Sequence, residues 1–148
     1  MIEFTIQTEV ERPPPEVFAF ATDPGRLPEW QTNTVSAIPI EDGPLRVGSR
    51  LREVHRGPGG KELESLVEVS ELEPNRRFSL KMIEGPLPVD GHLRFEPNGE
   101  GTRVAFTVQA RPTGAMRLAQ PLLRLGLKRQ FKQHCADLKR ALEGQPTQ

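Results

Sequence analysis

A chain of 148 residues, of which 35% are hydrophobic, has the size of a single domain with its own core. Its 20 basic and 20 acidic residues cancel, so no net charge attracts it to nucleic acid or to a membrane surface. The single cysteine, Cys135, excludes an internal disulfide framework and fits a reducing compartment. No apolar run approaches the ~20 residues that span a bilayer, and residues 1–9 lack the features of a signal peptide. We therefore expect a cytoplasmic protein without a membrane span.

The N-terminal part of the chain predicts one strand and two short helices. Residues 2–10 alternate between apolar and polar side chains with a period of two, which is typical of a half-buried strand. Pro14 or Pro15 suits the first turn of a helix, where a missing N–H costs nothing, and the sequence D-P-G at 23–25 ends that helix. A second helical turn over 26–29 leads to Trp30, the only tryptophan.

Turn residues divide the middle of the chain into six further strand candidates. Gly and Pro are concentrated in short clusters, of which G-P-G-G at 57–60 and P-N-G-E-G at 97–101 indicate hairpin loops. No helical pattern separates the candidates, so the strands should pair as an antiparallel meander. The predicted strands are residues 33–40, 47–56, 61–72, 76–83, 89–96 and 102–111.

The C-terminal segment changes to helical spacing. From Leu118 the apolar residues recur mostly at steps of three and four, which predicts an amphipathic helix that starts near Pro121 or bends between Pro121 and Gly126. The other face of this helix is basic. Because the net charge is zero and no aromatic residues interleave, we interpret that face as a solvated surface rather than a site for nucleic acid or anionic lipid. Residues 144–148 are expected to form a frayed tail.

Several motifs, taken in their order and spacing, resemble one superfamily. They are P-P-P-E-V-F-A-F-A-T-D-P with L-P-E-W, then V-G-S-R-L-R, V-S-E-L-E-P-N-R-R-F, G-H-L-R-F-E-P-N-G-E-G-T-R-V and the C-terminal L-K-R-A-L-E. By these motifs the chain resembles the START-like helix-grip superfamily, in the polyketide cyclase/dehydrase branch usually labelled SRPBCC. Members include aromatic polyketide cyclases, lipid and quinone carriers, plant hormone binders and chaperone cofactors.

The resemblance implies an α+β fold of the helix-grip (START/Bet v 1-like) type, in a single domain over residues 1–143. A curved seven-strand antiparallel sheet would wrap the long C-terminal helix, with two short helices after the first strand. An elongated cavity for a mostly apolar small molecule would lie between sheet and helix, and no cofactor is implied. The chain matches no position-specific catalytic motif and has no Tyr, whereas related cyclases place Tyr hydroxyls in the cavity.

Strand alternation indicates which side chains face such a cavity. On residues 47–56 the arginine-rich face belongs in water, so Glu53 and His55 should point inward. The other strands supply an apolar concave face, the usual lining of a small-molecule pocket. Trp30 either caps the mouth or belongs to the core. The expected ligand-binding residues are Trp30, Leu51, Glu53, His55, Ser65, Val67, Phe78, Leu80, Met82 and Phe106.

Glu53 and His55 are also the candidate catalytic residues. They are two residues apart on one strand and share a face, and a carboxylate beside an imidazole can form a general base that removes a proton next to a carbonyl. The alternative is a hydrated pair at the rim of the sheet. A metal site is not expected, because the three histidines lie on three different elements and only one cysteine is present.

The function that the sequence favours is non-covalent binding of a small hydrophobic molecule in the cavity. One alternative is an enzyme of the polyketide cyclase/dehydratase type. Another is an adaptor that binds a protein through the sheet edge or the basic helix. The expected partner is a small hydrophobic ligand and not a nucleic acid, and a homodimer is left open.

Overall fold

The alternating and turn patterns produce one continuous sheet in the computed structural model, which describes residues 1–144. The helices are α1 (Pro14–Ala21), α2 (Leu27–Trp30) and α3 (Gln120–Glu143). The seven-strand antiparallel sheet, the long C-terminal helix and the two short helices confirm the predicted helix-grip fold. The strands are β1 (Ile2–Val10), β2 (Thr34–Pro39), β3 (Arg50–Arg56), β4 (Glu62–Glu73), β5 (Arg77–Glu84), β6 (Val89–Asn98) and β7 (Gly101–Ala110).

The strand order is β1-β7-β6-β5-β4-β3-β2, so the first and the last strands are neighbours. β1 pairs with β7 along its full length, from Ile2 opposite Ala110 to Val10 opposite Thr102. From β2 to β7 each strand pairs antiparallel with the next one along the chain, which is the predicted meander. The chain passes from β1 at one edge to β2 at the other, and α1 and α2 lie on this connection.

The core lies between one face of the sheet and the helices. On β1 the side chains of Ile2, Phe4 and Ile6 are buried and those between them are exposed, as a period of two requires. α3 packs against β1 and α2, and its C-terminal half buries Leu138 and Leu142. The N-terminal half of α3 has no fully buried side chain. The long helix is therefore anchored by its C-terminal half.

Two element boundaries depend on local backbone chemistry. β3 begins at Arg50 and not at residue 47, because Gly48 has a φ of +96° and the Ser49 hydroxyl accepts a hydrogen bond from the Arg46 N–H, which together form a turn. α3 begins at Gln120, so Pro121 lies in the first turn, where its missing N–H costs nothing. A 3₁₀ segment, Gly114–Ala119, precedes it.

The C-terminal end of the chain is described only as far as Gly144. Its N–H donates to the carbonyl oxygen of Arg140 at 2.9 Å and so extends the hydrogen bonding of α3. The remainder of the predicted tail, residues 145–148, lies outside the described residues.

Candidate functional site

A cavity of about 420 Å³ lies between the concave face of the sheet and α3. This volume lies in the range of small-molecule sites. The side chains that line it come from β3, β4, β5, β6 and β7 on one side and from α3 on the other. Most of the residues expected from strand alternation are among them, namely Glu53, His55, Ser65, Val67, Leu80, Met82 and Phe106.

Three expected residues, Trp30, Leu51 and Phe78, do not line this cavity. Trp30 is fully buried in the core, and its ring lies 6.0 Å from that of Phe106, so it supports the cavity wall from behind. Phe78 is buried opposite Leu93 on the neighbouring strand. Leu51 is buried beside its strand partner Val67. Alternation assigns a side chain to a face of the sheet, but it does not tell which part of that face the helices cover.

Glu53 and His55 lie together in the cavity. Oε1 of Glu53 is 3.0 Å from Nε2 of His55, and Nδ1 of His55 is 3.2 Å from Oγ1 of Thr34, its partner across β2 and β3. Both contacts are satisfied when Nε2–H donates to Glu53 and Nδ1 accepts from the Thr34 hydroxyl. Each ring nitrogen of His55 then has a partner, and the imidazole holds the carboxylate in place.

The second oxygen of Glu53 differs from the first. Oε2 is buried and has no hydrogen-bond partner among residues 1–144. The Glu53 side chain is only 7% exposed, whereas that of His55 is 22% exposed. A buried carboxylate oxygen without a partner costs free energy, and a ligand group that donates a hydrogen bond to it removes that cost.

His134 is the functional candidate that the sequence reasoning missed. It lies on α3, lines the cavity and is buried, and its ring makes an edge contact with Phe131 at 5.1 Å. Burial lowers the pKa of His134 to about 4; the charge of Asp137 opposes the shift, and a positive charge on His55 would add to it. The imidazole is therefore uncharged at neutral pH. The signal was present, because His134 follows Phe131 by three residues and precedes Leu138 by four, on the apolar face of the helix.

The cavity has a polar end and an apolar body. Gln31, Asn33 and Gln130 join the Glu53–His55 pair and His134 among the lining residues. Gln31 and Asn33 precede β2; Gln31 lies in the predicted connection, and Asn33 was predicted as the first residue of the strand. The apolar body is formed by Leu63, Val67, Leu80, Met82, Val89, Phe106, Leu127 and Phe131.

The thiol and the histidines do not assemble into a metal centre in the described part of the chain. Within residues 1–144 no cluster of three or more His, Cys, Asp or Glu side chains could hold a metal ion. Cys135 is buried, and burial raises the pKa of its thiol to about 12, so it is not poised as a nucleophile. None of the helices described is long and apolar enough to cross a membrane.

The sheet, the long helix and the cavity between them define a helix-grip protein of the Bet v 1-like kind. The chain belongs to the family described as polyketide cyclase/dehydrase and lipid transport, which it matches over residues 1–143. The resemblance seen in the sequence motifs is thereby confirmed. No protein of curated function matches the chain.

Solved structures share the fold over nearly the whole chain. The crystal structure of TTHA0849 from Thermus thermophilus has a TM-score of 0.81 at 23% identity, covering 96% of this chain and 97% of that one. Protein NE0264 from Nitrosomonas europaea has a TM-score of 0.76 at 16% identity, covering 97% and 95%. The di-domain ARO/CYC StfQ from the steffimycin biosynthetic pathway has a TM-score of 0.79 at 18% identity. The match covers 97% of this chain but only 51% of StfQ. At these identities the likeness shows the fold alone.

Proposed function

We propose that this protein binds a small, predominantly apolar molecule non-covalently in the cavity between the sheet and α3. The observation that carries the proposal is the cavity of about 420 Å³, whose lining combines an apolar body with a few polar groups. Apolar area supplies the affinity in such a site, while a few polar groups set the orientation of the ligand. The family description, which includes lipid transport, supports the same function.

A neutral fluorescent probe, N-phenyl-α-naphthylamine, tests this proposal. We expect it to bind with micromolar affinity, which corresponds to about −8 kcal/mol. Leu80→Trp, which adds a large side chain to the cavity wall, should abolish binding. Ile83→Trp on the same strand is the matched control, because Ile83 is exposed and does not line the cavity. Absence of binding to the unmodified protein, or equal binding to Leu80→Trp, would overturn the proposal.

A second candidate function is an enzyme of the cyclase or dehydratase type, and the Glu53–His55 pair favours it. The pair contributes a carboxylate held by an imidazole inside an apolar cavity, with Oε1 and Nε2 3.0 Å apart. Because both nitrogens of His55 have partners, the proton acceptor in this proposal is Oε2 of Glu53 and not the imidazole. His55 then acts as a positioning residue.

A further inference from the structure

Three residues at the polar end of the cavity each hold one buried polar atom without a hydrogen-bond partner among the residues described. The atoms are Oε2 of Glu53, Oδ1 of Asn33 and Nδ1 of His134. All three residues line the cavity, although they come from β3, from the segment before β2 and from α3. Buried polar groups are normally paired, so three unpaired atoms in the lining of one cavity point to a ligand with complementary groups.

The chemistry of these atoms selects the complementary group. A carboxylate oxygen and an amide oxygen accept hydrogen bonds and donate none, while a neutral imidazole nitrogen accepts or donates according to its tautomer. A hydroxyl group of the ligand can therefore donate to Glu53 or to Asn33. A hydrocarbon leaves both oxygens unpaired, and a ligand carboxylate places a second negative charge beside the Glu53 carboxylate, whose side chain is only 7% exposed.

Arg56 is the residue that could favour an anionic ligand instead. It also lines the cavity, but it is exposed. A carboxylate held by Arg56 would therefore stay in contact with water and leave the unpaired atoms of the buried end without partners.

We propose that the cavity selects a neutral, predominantly apolar molecule that carries a hydroxyl donor at the end near Glu53 and Asn33. This inference rests on the proposed binding function and narrows its ligand class. It distinguishes an alcohol, phenol or enol from a fatty acid or a pure hydrocarbon of the same size.

Three compounds of one ring system test the selectivity: β-naphthol, β-methylnaphthalene and β-naphthoate. We expect β-naphthol to bind about tenfold or more tightly than either of the others, since a hydrogen bond to a charged group is worth at least that factor. Glu53→Gln should remove most of this preference while β-methylnaphthalene still binds. Asn33→Ala is a second variant that leaves the buried carboxylate in place, and it should weaken β-naphthol alone. Glu64→Gln, the same change at an exposed position on the adjacent strand, should alter nothing.

The outcomes separate the two proposals. If none of the compounds and no neutral fluorescent probe binds, the binding function itself fails. If all three compounds bind equally, or if β-naphthoate binds as tightly as β-naphthol and loses affinity in Arg56→Ala, the binding function stands and the hydroxyl selectivity is overturned.

A different observation carries a second inference, which concerns the surface around the start of α3. Four large apolar side chains are exposed there, Met116, Leu118, Leu122 and Leu125. Leu118 is 90% exposed, Leu122 75% and Leu125 57%. They lie on the 3₁₀ segment and the first turns of α3, the part of the helix that buries no side chain fully. We call these four residues the apolar ridge.

The segment that carries the apolar ridge has charges of one sign only, all positive. Residues 112–136 contain five cations and no carboxylate, although the whole chain is neutral. A second copy of this surface would bring like charges together, whereas an anionic lipid surface offers both an apolar layer for the leucines and negative charge for the cations. From the sequence we interpreted the cations as a solvated face, because the sequence does not show that no other element covers these leucines. The five cations are Arg117, Arg124, Lys128, Arg129 and Lys132.

We infer that the apolar ridge docks the protein on an anionic bilayer surface. Leu127 and Phe131 follow on the same helix and line the cavity. Docking would therefore bring the cavity close to the boundary between lipid and water, where apolar molecules partition.

Co-sedimentation with vesicles tests the docking surface. We expect binding to vesicles of phosphatidylcholine mixed with phosphatidylglycerol, weakened by salt, and little binding to phosphatidylcholine alone. The triple variant Leu118→Ser/Leu122→Ser/Leu125→Ser should lose binding. The matched control Ile38→Ser/Val47→Ser/Ile83→Ser removes three other exposed apolar side chains and should keep it. Equal binding of both triple variants overturns the inference. The inference is also overturned if the protein does not bind vesicles and the apolar ridge forms a dimer instead. Sedimentation would show such a dimer, and the first triple variant would remove it.

Discussion

His55 on β3 and His134 on α3 line the same cavity from its sheet side and its helix side, and a charge on His55 opposes protonation of His134. Burial of His134 between these walls is the larger cause of its lowered pKa. The helix and the sheet therefore enclose an imidazole that is neutral in the folded protein. This neutral imidazole should affect both the stability of the fold and the binding of a ligand.

The stability of the fold should fall with acid because of His134. Its pKa is 6.5 when unperturbed and about 4 in the folded protein, so between these values the unfolded chain binds a proton that the folded chain refuses. Stability from this group is therefore complete above about pH 6.5 and decreases as pH falls towards about 4. The loss should reach on the order of 3 kcal/mol.

Urea unfolding at several pH values measures this effect. Between about pH 6.5 and about pH 5 the unmodified protein should lose about 2 kcal/mol more than His134→Gln, which does not titrate. Carboxylates with lowered pKa, such as Glu71 and Glu143, contribute at lower pH, so the upper window isolates the histidine. If the free energy of unfolding depends on pH in the same way for the two proteins, His134 is not buried in its neutral form.

Glu53 should be the proton acceptor if the protein is an enzyme. Exchange of the acidic C–H protons of β-tetralone for deuterium in D₂O requires a base that takes the proton next to the carbonyl, leaves an enolate and returns a deuteron. Proton NMR follows this exchange. Glu53→Gln should slow the protein-catalysed rate by roughly 10²–10⁴-fold. His55→Asn should slow it less, since His55 only positions the carboxylate.

The control for this exchange experiment is Glu64→Gln, which leaves the cavity intact. An exchange rate that Glu53→Gln leaves unchanged, in a variant that still binds β-tetralone, would remove the enzyme proposal without affecting the binding proposal.

Trp30 should matter for stability rather than for ligand contact. Its ring is fully buried and contacts Phe106, and its indole Nε1 has no hydrogen-bond partner within the described chain. Trp30→Ala should therefore cost about 3–5 kcal/mol in urea unfolding followed by circular dichroism. Trp30→Phe removes no hydrogen bond and should cost clearly less, with probe affinity within a few-fold of normal. A large loss of affinity in a stable Trp30→Phe protein would assign the indole to the site.

Gly126 should be replaceable with a gain in stability. A Cβ built at Gly126 meets nothing within 4 Å, and the residue lies inside α3, where Ala is favoured over Gly by up to about 1 kcal/mol. Gly126→Ala should raise the melting temperature. Gly101→Ala is the contrasting variant, because its Cβ would meet the carbonyl oxygen of Val10 at 2.6 Å. A destabilised Gly126→Ala protein would indicate that this part of α3 needs glycine for a bend.

Amide exchange should differ between the two halves of the C-terminal segment. Residues 114–126 bury no side chain fully, whereas the later turns of α3 bury Cys135, Leu138 and Leu142. We expect faster deuterium uptake over 114–126 than over 128–142, and slower uptake in that first part when a ligand is bound. Equal protection of both halves, with and without ligand, would contradict this expectation.

Features that depend on residues close together in the sequence were predicted correctly. The alternation of β1 and the Gly and Pro clusters located the strands, and the spacing of Glu53 and His55 placed them together on one face. The residues that do not line the cavity as expected are those whose surroundings depend on how the helices pack on the sheet. Alternation could not show that Phe78 belongs to the core and does not line the cavity, because this depends on where the helices pack on the sheet.

Residue type also misled the interpretation of the site. His134 has the helical spacing of a core residue, but as a polar side chain it was not counted on the apolar face. Asn33 belongs to the segment before β2, and only the fold brings it to the cavity opposite α3. The single-domain assignment over residues 1–143 stays a prediction, and a homodimer is left open.

A crystal structure of the complex with β-naphthol would show whether the cavity holds an apolar molecule and where its hydroxyl group lies. We expect the ring system between Leu80 and Phe106, with the hydroxyl oxygen about 3 Å from Oε2 of Glu53 or Oδ1 of Asn33. A ring system in the cavity with its hydroxyl turned towards Arg56 would contradict the selectivity alone. A cavity closed by the side chains of α3, with the compound only on the outer surface, would contradict the proposal that this protein binds apolar molecules.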